Sequence, residues 1–388
     1  MTPTRVGIVA DLLEEGWPSM DLMAEMLMAE LQRPDRSGIE PVLLRPGFAP
    51  RLTPLVRRSN GRPPLTIDRI AHRYWDYPRW LRREARADIY HIVDHSYAHL
   101  ASDLPEGRVV VTCHDTDAFR TLFLPAQRES SLPRVFVSRV LRGLRRAAMV
   151  VCDSEATRAE LERHALVPPA RMVVVPIGVH PSCSATPDAE SDREAVALIG
   201  PPAGLELLHV GSTIPRKRVD TLLDVFAAVA SQRSDIRLLR VGGPFTAEQD
   251  ARIDALGVRP RIEVLPFIER SVLASLYRRA ALVLLPSERE GFGLPVIEAL
   301  ACGTPLVASD LPVLREVGGS AAEYCPVGDV DTWTARALAL LDERERDQPR
   351  WEARRQAGIA RAGQFSWHHC AEQMRAIYGR LAANGAGR

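Results

Sequence analysis

The stretch ALVLLPSEREGFGLPVIEALACGTPLVAS, residues 281–309, reads as strand, glycine turn, helix and strand in unbroken succession. ALVLL is a continuous apolar run, the pattern of a strand buried on both faces of a parallel sheet. Gly291-Phe292-Gly293 then turns the chain, and Pro295 suits the first turn of a helix beginning near Leu294, where a missing N–H costs nothing. The free amides of that first turn face back toward the loop, which is the physical form of an anion site. A pyrophosphate fits there. Glu290 precedes the turn and Glu298 lies one helical turn beyond it. Both carboxylates can accept hydrogen bonds from sugar hydroxyls.

A pyrophosphate needs cations, and the segment LELLHVGSTIPRKRVDTLLDVF, residues 205–226, supplies them. A strand ends at Val210-Gly211, a loop follows, and Arg216-Lys217-Arg218 precede a helix. Arginine offers a fork of donors and lysine a compact charge. Of the 50 basic residues in the chain, Lys217 is the single lysine. The alternative is a solvated basic face ahead of a helix.

Outward from these segments, short apolar runs such as VVVTC, MVVC, MVVV and LVLL alternate with helical patterns along the whole chain. Strands are expected at Arg5–Ala10, Pro41–Arg45, Asp88–Val93, Val109–His114, Met149–Asp153, Met172–Pro176, Leu205–Gly211, Ile236–Val241, Arg261–Leu265, Ala281–Leu285 and Pro305–Ser309. The alternation makes the fold α/β. A length of 388 residues fits two domains. The stretch 180–204, rich in Pro, Ser, Ala and acids, reads as linker and loop.

Composition narrows the functional classes. A net charge of +1 gives no general attraction to nucleic acid. The six cysteines are scattered without a C-x-x-C pair, which argues against a zinc site or disulfide framework and for a reducing compartment. The opening MTPTRVGIVADLLEE reads as a first strand and not as a leader peptide. No run reaches the about 18 apolar residues of a membrane span. A cytoplasmic location is expected, the inner membrane face included.

Three motifs together resemble glycosyltransferase family 4, retaining enzymes of the GT-B fold. They are Glu-x7-Glu from Glu290 to Glu298 within E-G-F-G-L-P-V-I-E-A, the run V-G-x4-R-K-x2-D-x-L-L from Val210 to Leu223, and a final helix carrying Phe365, Ser366, Trp367 and Tyr378. The resemblance covers nearly the whole chain. It implies two Rossmann-like parallel-sheet domains facing across a cleft: an acceptor domain over 1–178, a linker over 179–204, a nucleotide-sugar domain over 205–365, and a helix over 366–388 crossing back to the first domain. It implies a nucleotide-sugar donor and a hydroxyl acceptor, and neither organic cofactor nor metal. Glu290 is expected on the donor sugar, Glu298 on the ribose, and Arg216 and Lys217 on the pyrophosphate. The backbone of Phe292, Gly293 and Leu294 is expected to face the donor, as are Gly16 and Gly211, with Phe267 and Ile268 at the base. His114 ends the strand VVVTC and is expected near the reacting sugar. His95, Ser96, Tyr97 and Trp17 are candidates for the acceptor side.

The chain departs from the family pattern in three places. The loop after the first strand is E-E-G-W-P-S-M-D, with Gly16 alone where Gly-Gly is common. Arg218 stands where a glycine often follows Arg-Lys, and Ile177-Gly178 stands where Asn-Gly is usual. Asp115-Thr116-Asp117 is a D-x-D, the pattern of metal-dependent transferases of another fold. A nucleotide-sugar epimerase or hydrolase, or a binding protein without turnover, would share the donor motifs. Residues 51–86 carry ten arginines and three acids among Tyr74, Trp75, Tyr77 and Trp80. They suit sugar stacking or an anionic membrane surface, and equally a solvated helix with its aromatics in the core. The basic amphipathic segment RVFVSRVLRGLRRAA reads as a core-facing helix.

Overall fold

The computed structural model describes residues 3–34, 38–51, 63–123, 134–202 and 204–386. They form two compact units, Met1–Gly178 with Trp367–Arg388, and Val179–Ser366.

The first unit holds six parallel strands: β1 (Thr4–Val9), β2 (Ile39–Leu44), β3 (Ile89–Ile92), β4 (Val109–Cys113), β5 (Met149–Cys152) and β6 (Met172–Val174). Their order is β2-β1-β3-β4-β5-β6. The central strands β3 and β4 are buried at every residue, as continuous apolar runs require. The second unit repeats the plan with β7 (Leu205–Val210), β8 (Ile236–Val241), β9 (Ile262–Leu265), β10 (Leu282–Leu285), β11 (Leu306–Ser309) and β12 (Glu323–Cys325), in the order β12-β11-β10-β7-β8-β9. All pairings are again parallel.

Strand order decides where a ligand can sit. In the second sheet β7 and β10 are neighbours, but the chain leaves β7 toward β8 on one side and β10 toward β11 on the other. The loops after them therefore diverge and leave a crevice at their carboxyl ends. In the first sheet the same divergence falls between β1 and β3.

Two local expectations change. Residues 180–204 are not all loop: Ala189–Ile199 is a helix, capped by the Asp188 carboxylate on the Glu190 amide at 3.1 Å. It docks on the helix Arg270–Arg279 through Asp192, which accepts from Arg278 at 2.7 Å. The strand β12 was not expected from EYC, which has no apolar run.

The helix Arg134–Arg146 buries Val137, Val140, Leu141 and Leu144 and turns its arginines outward, as its pattern implies. It lies against the 3-10 segment His95–Asp103 so closely that a Cβ on Gly143 would stand 1.8 Å from the Ala98 carbonyl oxygen. The final helix, Trp367–Ala386, belongs to the first unit. There the Tyr378 hydroxyl meets His91 Nδ1 at 2.7 Å, and His91 Nε2 meets Thr112 Oγ1 at 2.7 Å. Within 51–86, residues 52–62 lie outside the described residues. Tyr74 and Tyr77 are buried, Trp80 packs on the core and Trp75 is exposed. No described helix is long and apolar enough to cross a membrane. Gly143→Ala is expected to destabilise the first unit by about 2 kcal/mol or more, because the clash is with backbone. Urea denaturation followed by circular dichroism measures it.

Candidate functional site

At the β7/β10 crevice of the second unit, two loops distant in sequence are joined by one carboxylate. Glu290 follows β10 and its side chain is 7% exposed. Its Oε1 accepts from Lys217 Nζ at 2.6 Å and from Ser287 Oγ at 2.7 Å. Its Oε2 accepts from Arg216 Nη1 at 3.3 Å, and the same guanidinium reaches the Arg289 carbonyl at 2.9 Å. The Glu288 amide returns the contact, donating to the Arg216 carbonyl at 2.7 Å. Burial alone would push the Glu290 pKa up. The charges of Lys217 and Arg216 and the hydrogen bonds from Lys217 and Ser287 outweigh burial, and the carboxyl is held below its ordinary range. It is therefore ionised and a pure acceptor.

The loop geometry behind this pair is set by left-handed backbone at two points, Gly293 and Arg218. Gly293 caps the helix Leu294–Ala301 at φ 94°, and a Cβ there would stand 2.6 Å from Leu314 Cδ2. Only glycine meets both demands. The helix starts at Leu294 with Pro295 as its second residue, so its first-turn amides open toward the crevice. The Phe292 side chain is buried edge-on against Phe365, which leaves backbone as its part of the loop surface. Arg218, in the place of the family's glycine, holds φ 47° and ψ 49°. The left-handed conformation explains why glycine is common there, and it costs arginine about 1 kcal/mol. Bonds from Arg218 to Asp220, one at 2.8 Å, hold the side chain beside it.

Glu298 is half-buried, one turn into the helix. Its Oε2 accepts from the buried Tyr277 hydroxyl at 2.8 Å. Burial raises its pKa, with the Tyr277 hydrogen bond and the Arg270 charge opposing. Tyr277 stands on the helix Arg270–Arg279, whose preceding loop carries Phe267, 56% exposed, and Ile268, half-buried. An exposed phenyl ring beyond the end of β9 is a ready stacking surface. Gly211 follows β7, and a Cβ on it would meet His209 Cε1 at 3.3 Å and Lys217 Cδ at 3.7 Å.

In the first unit the carboxyl ends of β1, β3, β4 and β5 carry a second, buried set of charges. His114 follows β4. Its Nδ1 lies 2.5 Å from Asp153 Oδ2 and its Nε2 lies 2.7 Å from the Val93 carbonyl oxygen. Both partners are acceptors, so both ring nitrogens carry protons. Burial opposes that charge, but Asp153, Asp94 and the Val93 hydrogen bond overcome it and raise the pKa to about 10. His114 is thus a fixed cation with no nitrogen open as a base. Asp11, after β1, is buried beside Asp94, after β3. Burial and the Asp94 charge push the Asp11 pKa well above its ordinary value, whereas His95, His114 and Ser96 hold that of Asp94 below its own against burial.

The loop after β1 is anchored from below. Gly16 has φ 66° and open space around its Cβ direction, so backbone angle and not crowding requires glycine. Glu15 beside it is paired with Arg69 at 2.6 Å and Arg73 at 3.6 Å. Arg73 arises from a π-helical turn, His72–Asp76, and stacks on Tyr97 at 4.1 Å. Trp17 is 39% exposed, with the Arg73 guanidinium 6.0 Å from its ring. Tyr97, expected among the acceptor candidates, is fully buried; its hydroxyl accepts from the Leu12 amide at 3.4 Å and donates to Glu15 at 3.2 Å. It supports the Gly16 loop from the core. Ser96 turns its amide and hydroxyl onto Asp94. His95 is buried against Phe119, 3.3 Å from Asp94 and 3.6 Å from Asp115. Asp115 also accepts the Asp117 amide at 3.1 Å, so the D-x-D begins as a local turn.

Sequence patterns did not single out Asp11, Asp94, Asp153, Arg73 or Tyr277. Each is one polar residue at a strand end or helix face; the fold gathers the first four within the first unit and sets Tyr277 beside Glu298 in the second.

Comparison with known proteins follows the same division. Residues 24–182 match the model of Glycosyltransferase Family 4, and residues 201–357 match that of Glycosyl transferases group 1. A D-inositol 3-phosphate glycosyltransferase of Jonesia denitrificans is 31% identical over 72% of this chain and 68% of its own length. An O-antigen chain mannosyltransferase B of Escherichia coli is 28% identical over 83% and 81%. Among solved structures, a sucrose-phosphate synthase from Thermosynechococcus elongatus superposes with a TM-score of 0.76 at 19% identity, covering 98% of this chain and all of that one. The Anabaena protein HepE, determined with UDP and glucose, gives 0.71 at 16% identity over 97% of this chain and 100% of its own. With two parallel six-stranded sheets and both family models matched in order, the chain belongs to glycosyltransferase family 4 and has the GT-B fold.

Proposed function

We propose that this glycosyltransferase moves a hexose from a nucleoside-diphosphate sugar to a hydroxyl acceptor with retention at the anomeric carbon and without a metal ion. One arrangement supports this above all: an ionised Glu290 clasped by Lys217 and Arg216 beside the glycine loop and helix start that follow β10. The incoming diphosphate takes over the two cations, which frees the Glu290 oxygens for sugar hydroxyls. Glu298 accepts from the ribose, and Phe267 and Ile268 cover the base. Gly211 and the backbone of Phe292, Gly293 and Leu294 let the diphosphate approach closely.

The bond from the anomeric carbon to the phosphate oxygen breaks as the acceptor oxygen bonds to the same face. The acceptor's proton passes to a departing phosphate oxygen. Arg216 and Lys217 stabilise the charge that grows on the leaving diphosphate, a contribution that needs no protein nucleophile. His114 serves the first unit as a fixed positive charge, with Gly16 and Trp17 shaping its loop and His95 and Ser96 lining its strand ends. The acceptor is a glycan, a lipid-linked glycan or a small molecule that carries a hydroxyl. The relatives' names put inositol phosphate and an O-antigen chain first among the acceptors to try. The protein works in the cytoplasm, the inner membrane face included, and nucleic acid is not its partner.

Donor turnover tests this. Purified protein is incubated with uridine, guanosine, adenosine and thymidine diphosphate sugars, with and without chelator, and released nucleoside diphosphate is followed. One donor is expected to be hydrolysed slowly and independently of chelator, with Lys217→Ala and Glu290→Gln each lowering the rate by about 10²–10³-fold. No release from any donor, with no thermal stabilisation by any nucleotide, would overturn the donor assignment.

The charge on His114 has its own test. Its folded pKa, about 10, lies above the ordinary 6.5. Its contribution to stability is complete below pH 6.5 and is lost as pH rises through about 10. Wild type is therefore expected to lose roughly 4 kcal/mol more than His114→Gln between pH 6.5 and 10 in urea titrations. Parallel curves for the two proteins would show that His114 is not a buried cation.

A further inference from the structure

The donor loops rest on a buried cation that the family motifs leave unassigned. Arg240 stands near the end of β8 and is fully buried. Its partner in register on β7 is His209, also fully buried. Among the described residues no carboxylate pairs with either. Arg240 Nε and both His209 ring nitrogens have no hydrogen-bond partner. What Arg240 does hold is backbone: Nη2 donates to the Gly211 carbonyl at 3.1 Å, and Nη1 donates to the Gly243 carbonyl. The Phe245 ring lies against the guanidinium, 4.8 Å from its centre.

These bonds join the loop after β7 to the loop after β8. The two loops touch backbone to backbone, since a Cβ on Gly242 would stand 1.9 Å from the Gly211 oxygen. Gly211 in turn borders the Lys217 side chain. Burial lowers the Arg240 pKa to about 10, which leaves it charged at neutral pH. Burial and the charges of Arg240 and Lys217 push His209 down to about 3, so His209 is neutral. An isolated buried charge is costly unless a partner completes it.

We propose that Arg240 is a positioning residue for the donor diphosphate: it fixes the Gly211 and Gly243 loops and holds beneath them a positive charge that the bound diphosphate completes. Neutral His209 fills the space between Arg240 and Lys217 without adding a second charge. The proposal rests on the donor assignment above and adds a cation outside the Arg216-Lys217 pair. It separates two effects. A loop clamp alone would serve nucleoside and nucleoside diphosphate equally, whereas a charge favours the diphosphate.

The test is calorimetric titration of the full chain, as wild type, Arg240→Met and Arg240→Lys. The titrants are uridine, guanosine, adenosine and thymidine diphosphates and their parent nucleosides. Arg240→Met is expected to lose about tenfold or more in affinity for the preferred diphosphate and under about threefold for its nucleoside. Arg240→Lys is expected to keep most of the wild-type preference for diphosphate over nucleoside. Equal losses for both titrants in both variants would make Arg240 purely structural and overturn the proposal. Should Arg240→Met fail to fold, the lysine variant decides: a retained preference supports the charge, and an equal loss of both titrants overturns it. Wild type binding none of the diphosphates would overturn the donor assignment itself, an outcome separate from either variant result.

Discussion

The Glu290 carboxylate answers to two cations that lie 73 and 74 residues earlier in the chain. That contact needs β7 and β10 to be neighbours, with their following loops splayed apart. Parallel strands bring every carboxyl end to one edge, and in the second sheet the reversal of strand order opens the gap where β7 meets β10. Buried apolar runs, glycine at left-handed positions and a helix start aimed at the gap all serve to put three charges there. The pair is not a stabilising ornament, since a largely buried ion pair returns little net stability. On the function proposed here its value is readiness: an ionised acceptor and two cations are already oriented for an incoming anion.

The two units use the same architecture for different electrostatics. In the second, Arg216 and Lys217 flank the ionised Glu290 at the crevice, and Arg240 adds a positive charge beneath the Gly211 and Gly243 loops, with His209 kept neutral by burial and its cationic neighbours. In the first, Asp94 and Asp153 hold His114 as an imidazolium, and burial beside Asp94 raises the pKa of Asp11. A net positive edge suits a phosphorylated ligand. A balanced network of carboxyl and imidazolium groups suits uncharged hydroxyls, which need fixed donors and acceptors more than net charge.

Much of this was legible in the sequence, for stated physical reasons. Continuous apolar runs marked central strands such as β4 and β10 most plainly, because a strand covered on both faces has no polar alternation to confuse it. EYC failed as a signal because three residues at a sheet edge bury too little. The helix Ala189–Ile199 was hidden in a Pro- and Ser-rich stretch, although Asp188 is a serviceable cap. Glu290, Lys217 and Gly293 were visible because motif, loop and helix start coincide. Arg240, His209, Asp11 and Asp94 were not, because a polar residue at the end of an apolar run looks the same whether it faces solvent, a partner or a ligand. Tyr97 misled for the same reason: its position beyond a strand end suggested the surface, and Glu15 and Leu12 hold it in the core.

The chain's composition offers an unusually direct probe of the central contact. Lys217 is its only lysine. Protein grown on carbon-13, nitrogen-15 lysine therefore gives one set of lysine side-chain resonances, and it reports on the Glu290 contact alone. Titration with the donor's nucleoside diphosphate should move those resonances in step with binding, as Nζ exchanges the carboxylate for phosphate. Resonances that stay in place while the nucleotide binds would contradict the account, because the diphosphate would then lie away from Lys217.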